Sequence, residues 1–425
     1  MTGEHRVLQL VVAIADQMEH PDTVPGLPTG QAGWRQSLAH GVPGIALLHI
    51  ELAAAGLRPW QRAHDWLIDT TRTPVTTGAD SHLFYGAPAL AHALACAAEC
   101  NPGSYGLALD TLDATIASDT HRRVEVAHAR IDQGRLPALA EFDVIRGLTG
   151  VGSYLLRRDP GSEAIRAVLE YLVRLTEPVK VDDQTLPGWW TTSGPSGRDN
   201  ERFTGGHANS GVAHGIGGPL SLLALAALRG VTVDGHADAI ATICAWLDRW
   251  RTDTDQCPAW PYWVTCPQLH AGRLDSARIL RPSWCYGAAG LARAQQLAAL
   301  ATGDTGRRDM AEDALVRALA DPGQRAATTD NSLCHGYAGF AHIAARTAAD
   351  AAPAAASRQF ALIPELLDAV QPPGADPRHP AAAVGVPAGS GPGLLEGTAG
   401  IALAVLAPST NALPQSGWDT CLLIA

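Results

Sequence analysis

The sequence predicts an all-α chain in which seven helix pairs close into a ring of inner and outer helices. Three observations predict it. A short glycine motif recurs seven times; each copy is followed by an apolar run rich in helix formers; and sustained alternation of apolar and polar residues is hard to find, while alanine is abundant. A repeat of this length outweighs the prior of two or three domains that 425 residues would suggest. The whole of 1–425 is therefore expected to be a single domain.

In order, the copies are Ser37-Leu38-Ala39-His40-Gly41-Val42-Pro43-Gly44, His82-Leu83-Phe84-Tyr85-Gly86-Ala87-Pro88-Ala89 and Asp143-Val144-Ile145-Arg146-Gly147-Leu148-Thr149-Gly150. Then come Gly211-Val212-Ala213-His214-Gly215-Ile216-Gly217-Gly218, Ser283-Trp284-Cys285-Tyr286-Gly287-Ala288-Ala289-Gly290, Ser332-Leu333-Cys334-His335-Gly336-Tyr337-Ala338-Gly339 and Leu394-Leu395-Glu396-Gly397-Thr398-Ala399-Gly400. Glycine suits a tight turn into a helix and a close approach of neighbouring backbones. Each motif is thus read as a helix N-terminus. Second helical stretches lie between motifs, as at Trp60 to Thr71, Ser162 to Leu175, Ala237 to Trp250 and Met310 to Leu319, and Met1 to Met18 reads as an amphipathic first helix. Neither end resembles the polar capping repeat that an open array needs, which favours closure.

Register carries the inference further. The residue before the first glycine is His40, Tyr85, Arg146, His214, Tyr286, His335 or Glu396, polar or phenolic in every copy. If the inner helices start at one end, these side chains converge on one mouth. One position earlier, Cys285 and Cys334 occupy equivalent places, and His335 follows the second. Two thiols and an imidazole are enough to hold Zn²⁺ and leave a position for substrate. Singly, each cysteine reads as a small core residue; in shared register beside His335 the metal reading prevails. Cys96, Cys100, Cys244, Cys257, Cys266 and Cys421 have no comparable partners and read as structural.

Composition excludes some classes. A net charge of -11, with 31 Lys and Arg scattered along the chain, offers no basic stripe for nucleic acid. Eight cysteines are far too few for a disulfide scaffold and point to a reducing cytoplasm. No stretch approaches the roughly 20 apolar residues of a membrane span. Two segments break the helical pattern, Asp182 to Ser210 and Thr252 to Ser283; they read equally as walls of a peptide groove, with tryptophans as apolar contacts, or as filling over the ring. Gln371 to Pro392, rich in Pro, Gly and Ala, reads as a surface loop.

Cys285-Tyr286-Gly287 and Cys334-His335-Gly336, with Arg281-Pro282, Ala213-His214-Gly215 and Asp143-Val144-Ile145-Arg146-Gly147, resemble the lanthionine synthetase C-like (LanC) cyclases. The resemblance implies a double α/α toroid of seven inner and seven outer helices with Zn²⁺ held by Cys285, Cys334 and His335. It implies closure of thioether rings in a lantibiotic precursor, by addition of cysteine thiols to dehydroalanine or dehydrobutyrine. His214 and Asp143 become the acid/base candidates, and Arg281 and Tyr286 line the site; Asp143 reads also as a helix cap and Arg281 as a surface ion-pair partner. The implied partners are a dehydrated precursor peptide with its leader, a separate dehydratase and an exporter at the inner face of the membrane. A glutathione-adding relative and a non-catalytic, zinc-stabilised peptide scaffold remain as alternatives. Ring-shaped prenyltransferases also activate thiols with zinc but use a different ligand order.

Overall fold

Where the chain turns into a helix at Gly287, φ is +143°, and a Cβ there would stand 2.5 Å from the Arg281 carbonyl oxygen. Gly86, at φ +75°, is as close to the Thr76 carbonyl. Only glycine fits both turns without strain. The computed structural model describes residues 3–24, 27, 33–253, 258–275, 281–371, 384 and 389–425. Cys257 and most of the 371–392 segment lie outside the described residues.

Among the described residues, fourteen helices exceed ten residues: α1 (Gly3–Gln17), α2 (Val42–Ala54), α3 (Trp60–Thr70), α4 (Ala87–Cys100), α5 (Gly106–Asp132), α6 (Leu148–Arg158), α7 (Glu163–Arg174), α8 (Gly217–Leu228), α9 (His236–Trp250), α10 (Ala288–Thr302), α11 (Thr305–Ala320), α12 (Tyr337–Asp350), α13 (Pro353–Val370) and α14 (Thr398–Thr410). The even-numbered helices are the seven that follow glycine motifs. Most of their residues are buried, and in α2 every residue from Val42 to Ala53 is. The odd-numbered helices bury one stripe, as α7 does with Ile165, Val168, Leu169 and Leu172. One motif deviates: helix α8 begins at Gly217 rather than directly after Gly215.

The helices fall into two compact units, Met1–Ile116 with Thr328–Asp419 and Ala425, and Ala117–Ala327 with Thr420–Ile424. In the first, α2 packs on α3, α4 and α14, and α12 packs on α13 and α14. The flanking partner of α14 is α1, from the other end of the chain. A buried acid braces this unit: Asp419 accepts from His342 Nε2 at 2.8 Å and from Arg346 through both oxygens at 2.6 Å. Burial alone would raise this carboxyl, yet the Arg346 charge and the His342 hydrogen bond hold it far below the usual carboxylate range.

In the second unit, α8 packs on α6, α9 and α10, α6 on α7, and α10 on α11. Among the described residues, three two-stranded antiparallel sheets supplement its helices: β1 (Val179–Val181) with β2 (Gln184–Leu186), β3 (His207–Asn209) with β6 (Trp263–Thr265), and β4 (Thr252–Asp253) with β5 (Pro258–Ala259). The β3–β6 pair, with Asn209 opposite Trp263, joins the two non-helical segments that the sequence set apart. Their tryptophans are mostly filling: Trp189, Trp190 and Trp260 are buried. No described helix is long and apolar enough to cross a membrane.

Backbone hydrogen bonds tie the helix heads together in register. In the first unit Leu38 N donates to Phe84 O at 3.0 Å, Leu395 N to Ala39 O at 3.0 Å and Cys334 N to Leu395 O at 2.9 Å. In the second, Val144 N donates to Ala213 O at 3.0 Å and Ala213 N to Cys285 O at 3.4 Å. Within each unit, equivalent motif positions are therefore neighbours.

Candidate active site

All seven residues before the motif glycine are exposed or half-buried, whereas six of the seven residues preceding them are buried. The turn geometry is the cause: the chain rises to present one side chain, then folds under as the helix starts. In the second unit this presents Arg146, His214 and Tyr286; in the first, His40, Tyr85, His335 and Glu396.

Asp143 divides its two oxygens between two tasks. Oδ1 accepts from the backbone N–H groups of Arg146, at 2.6 Å, and Gly147, at 2.8 Å, and so fixes the turn into α6. Oδ2 lies 2.7 Å from His214 Nδ1. Gly147, not Asp143, is the N-cap of α6, so Asp143 ties the preceding turn rather than capping the helix. Asp143 is buried and His214 one-third exposed. A carboxylate only accepts, so His214 Nδ1 carries the proton and Nε2 is the atom left for acid/base work. Arg123 on α5 braces the same turn, donating to the Arg146 carbonyl at 2.7 Å; burial lowers its pKa, and the nearby Asp143 charge opposes that shift.

Tyr286 stands beside this pair, its ring centroid 6.2 Å from that of His214. Its hydroxyl oxygen accepts from Asn209 Nδ2 at 3.0 Å. Tyr262 and Trp263 pack against the Tyr286 ring at 5.3 and 6.1 Å, and the Arg202 guanidinium lies over Trp263 at 5.5 Å. Trp263, unlike the other tryptophans of these segments, is half-buried. The carbonyl of half-buried Arg281 accepts from the Tyr262 hydroxyl at 3.2 Å. Cys285 is buried at 7% exposure, and Trp284 before it donates to Leu422 O at 2.9 Å.

In the other unit, Cys334 is buried at 8% exposure and His335 is held through Nδ1 by Asp330 Oδ2 at 2.8 Å and Ser332 Oγ at 3.0 Å. Its Nε2 lies 3.4 Å from Glu396 Oε1. Burial would raise the Asp330 carboxyl, but hydrogen bonds from His335 and Ser332 hold it at about 2. An ionised carboxylate on Nδ1 directs the lone pair to Nε2, the orientation seen in metal-ligating histidines. Among the described residues no three His, Cys, Asp or Glu side chains cluster closely enough to hold a metal ion.

The structure thus brings His214, Asp143 and Tyr286 together, with Arg281 and Cys285 in the same unit, while Cys334 and His335 adjoin in the other. Sequence reading did not single out Asp330, Asn209 or Arg123. Asp330 carried a weak signal, standing five residues before His335 in the same motif turn; the other two reach their partners only through the fold. Of the cysteines read as structural, Cys96, Cys244 and Cys421 are buried, and burial pushes the Cys244 thiol up to about 11.

The sequence model of the family described as lanthionine synthetase C-like protein matches residues 33–423. The chain is 25% identical over 322 residues to the nisin biosynthesis protein NisC of Lactococcus lactis subsp. lactis, an alignment covering 72% of either protein. Among solved structures it resembles a nisin cyclase, with a TM-score of 0.76 and 22% identity over 93% of this chain and 94% of the other. That likeness shows a shared fold, and with it the all-α toroid class expected from the seven repeats. With all seven glycine motifs inside the matched residues, the chain belongs to the lanthionine synthetase C-like family.

Proposed function

We propose that this protein is a thioether-forming peptide cyclase, adding cysteine thiols to dehydroalanine or dehydrobutyrine in a ribosomally made precursor to close the rings of a lantibiotic. The observation that carries the reading is the Asp143–His214 pair beside Tyr286, the residue that follows Cys285. The likeness to a nisin biosynthesis protein supports the same reaction class.

Cys285, Cys334 and His335 are the proposed Zn²⁺ ligands. Their donor chemistry fits the ion: two thiols, an imidazole, and a carboxylate already on the histidine's second nitrogen. Bound there, zinc would lower the pKa of a substrate thiol, which is otherwise near 8.5, and supply it as thiolate at neutral pH. The remaining work belongs to the chain. The new C–S bond forms at the β-carbon, and the π electrons move toward the carbonyl oxygen as an enolate. His214 Nε2 gives its proton to the α-carbon, with Asp143 holding the ring and stabilising its charged form. The proton lost by the thiol restores the imidazolium, so nothing leaves and the peptide keeps its mass. In this reading Arg281 steadies the enolate oxygen and Tyr286 lines the site. Tyr262, Trp263 and Arg202 form one wall of the proposed peptide groove. The reading places the enzyme in the cytoplasm, where thiols stay reduced, acting on a leader-bearing peptide after a separate dehydratase and before an exporter at the membrane.

The test is incubation of purified protein with a model peptide carrying one dehydroalanine and a downstream cysteine, followed by alkylation and mass spectrometry. Loss of the alkylatable thiol, faster than without protein, is the expected result. An unchanged thiol, with glutathione instead adding to the dehydroalanine, would favour a glutathione-adding activity; no turnover of either kind would leave a peptide-binding scaffold.

A further inference from the structure

Arg202 stands in one turn of 3-10 helix, Glu201–Phe203, whose start is fixed by the Asn200 side chain accepting from Arg202 N at 3.0 Å. The turn buries Phe203 and leaves Arg202 exposed. The Arg202 guanidinium lies over two rings, Phe203 at 5.7 Å and Trp263 at 5.5 Å, which themselves meet edge to face at 5.3 Å. Such contacts hold a side chain that would otherwise sample many rotamers. Its charge is not answered by an acid. Arg130, Arg174 and Arg307 of the same unit each pair with a carboxylate. Among the described residues no carboxylate lies within ion-pairing distance of Arg202, the exposed Asp199 and Glu201 beside it included. From Trp263 the row of rings continues to Tyr286 at 6.1 Å and on to His214 at 6.2 Å. A held cation without a counter-ion thus stands at one end of the row and the proposed proton donor at the other.

We infer that Arg202 anchors a carboxylate subsite: it binds an acidic group of the precursor peptide, a Glu or Asp side chain or the C-terminal carboxylate, close in sequence to the dehydroamino acid. This rests on the cyclase reading above and deepens it by naming a feature of the substrate. A guanidinium offers five N–H donors in a planar fork that matches a carboxylate. The row of rings limits the spacing, because its three steps from His214 to Arg202, laid end to end, equal about five residues of extended chain at roughly 3.4 Å each. The peptide between the two ends would lie along half-buried Trp263, which offers apolar contact. At an exposed position the ion pair selects among peptides rather than supplying most of their affinity. One fixed charge beside the site thereby sets the register in which a precursor with several dehydroamino acids presents one of them to His214.

The test uses model peptides with one dehydroalanine and a downstream cysteine. A single Glu is placed in turn at each position up to about five residues away on either side, always beside its Gln counterpart, and one further pair ends in a free carboxylate or an amide. Cyclisation kinetics, and binding by fluorescence anisotropy of labelled peptide, are measured at low and high salt for wild type, Arg202→Met and Arg202→Glu. Circular dichroism and thermal unfolding check the fold of each. In wild type at least one acid peptide binds roughly three- to tenfold more tightly than its amide counterpart, seen as a lower KM with little change in kcat, and the difference shrinks at high salt. Arg202→Met keeps an apolar stem over the rings and brings that ratio to about one; Arg202→Glu turns the preference against the acid. A preference confined to the free terminus identifies the C-terminal carboxylate as the ligand, and one at an internal position identifies a side chain. No preference for acid over amide in any pair, or one that persists undiminished in folded Arg202→Met, would overturn the inference and leave the cyclase reading intact. Absence of cyclisation by the wild type would overturn the cyclase reading, and the anisotropy ratios would then decide the subsite by themselves.

Discussion

Replacing Asp143 with Asn isolates one of that residue's two tasks. The backbone N–H groups of Arg146 and Gly147 still require an acceptor, so the new amide oxygen takes the place of Oδ1 and the turn into α6 survives. Its NH₂ then faces His214 Nδ1, which must become an acceptor, and the ring proton moves to Nε2. The substitution removes a 2.7 Å charge-assisted hydrogen bond from a carboxylate that is 2% exposed. Such bonds are worth about 1.5–3 kcal/mol, or roughly 10- to 150-fold in rate. Because the His214 side chain is 33% exposed, solvent replaces part of the interaction and the lower half of that range is expected. The assay is kcat for model-peptide cyclisation, with the thermal midpoint as control: Asp143→Asn lowers kcat and leaves the midpoint near wild type, whereas Asp143→Ala lowers both. A kcat within twofold of wild type in Asp143→Asn would refute the claim that this carboxylate supports His214.

Other expectations follow from the same geometry. Asp419→Ala leaves Arg346 and His342 without their shared acceptor and destabilises the protein by about 3–5 kcal/mol, read as a lower urea midpoint. Since the folded carboxyl of Asp419 lies below its unfolded value of about 3.9, its contribution is complete above that pH and is lost on further acidification. Wild type should therefore lose thermal stability more steeply than Asp419→Asn between pH 4 and lower values, and parallel curves would count against the pairing. Gly287→Ala places a Cβ 2.5 Å from the Arg281 carbonyl in a backbone conformation foreign to L-residues, costing about 1–3 kcal/mol; an unchanged urea midpoint would contradict this. Asp330→Ala frees His335 Nδ1 from its carboxylate and should weaken zinc affinity by roughly 10- to 100-fold, measured by competition with a chromogenic chelator.

The helix heads were legible because glycine before an apolar run has a direct steric meaning, and the shared register of Cys285 and Cys334 followed from aligning those heads. The exposure of His214, Tyr286 and His335 between buried neighbours follows from that register. Two features of the fold were not legible. Helix α1 serves as the flanking partner of α14, a contact across nearly the whole chain for which no local pattern exists. The pairing of β3 with β6 involves strands of three residues, too short to show alternation. At the site, Asn209 and Arg123 were missed for a related reason. Each acts on a side chain or carbonyl distant in sequence, and a buried amide or guanidinium has no local signature that separates it from an exposed one. The tryptophans at 189, 190 and 260, which read equally as binding wall or as filling, are core; Trp263, aligned with Asn209 on the paired strand, faces the Tyr286 ring.

The most direct test of the account is metal content by mass spectrometry on freshly purified wild type, Cys285→Ala and Cys334→Ala, with helical circular dichroism recorded on each. The account predicts about one zinc per chain in wild type and its loss in both variants without loss of helix, since the two cysteines occupy equivalent places in separate motifs and neither suffices alone. Wild type without zinc, or variants that retain it in full, would contradict a thiol-activating centre built from these motifs.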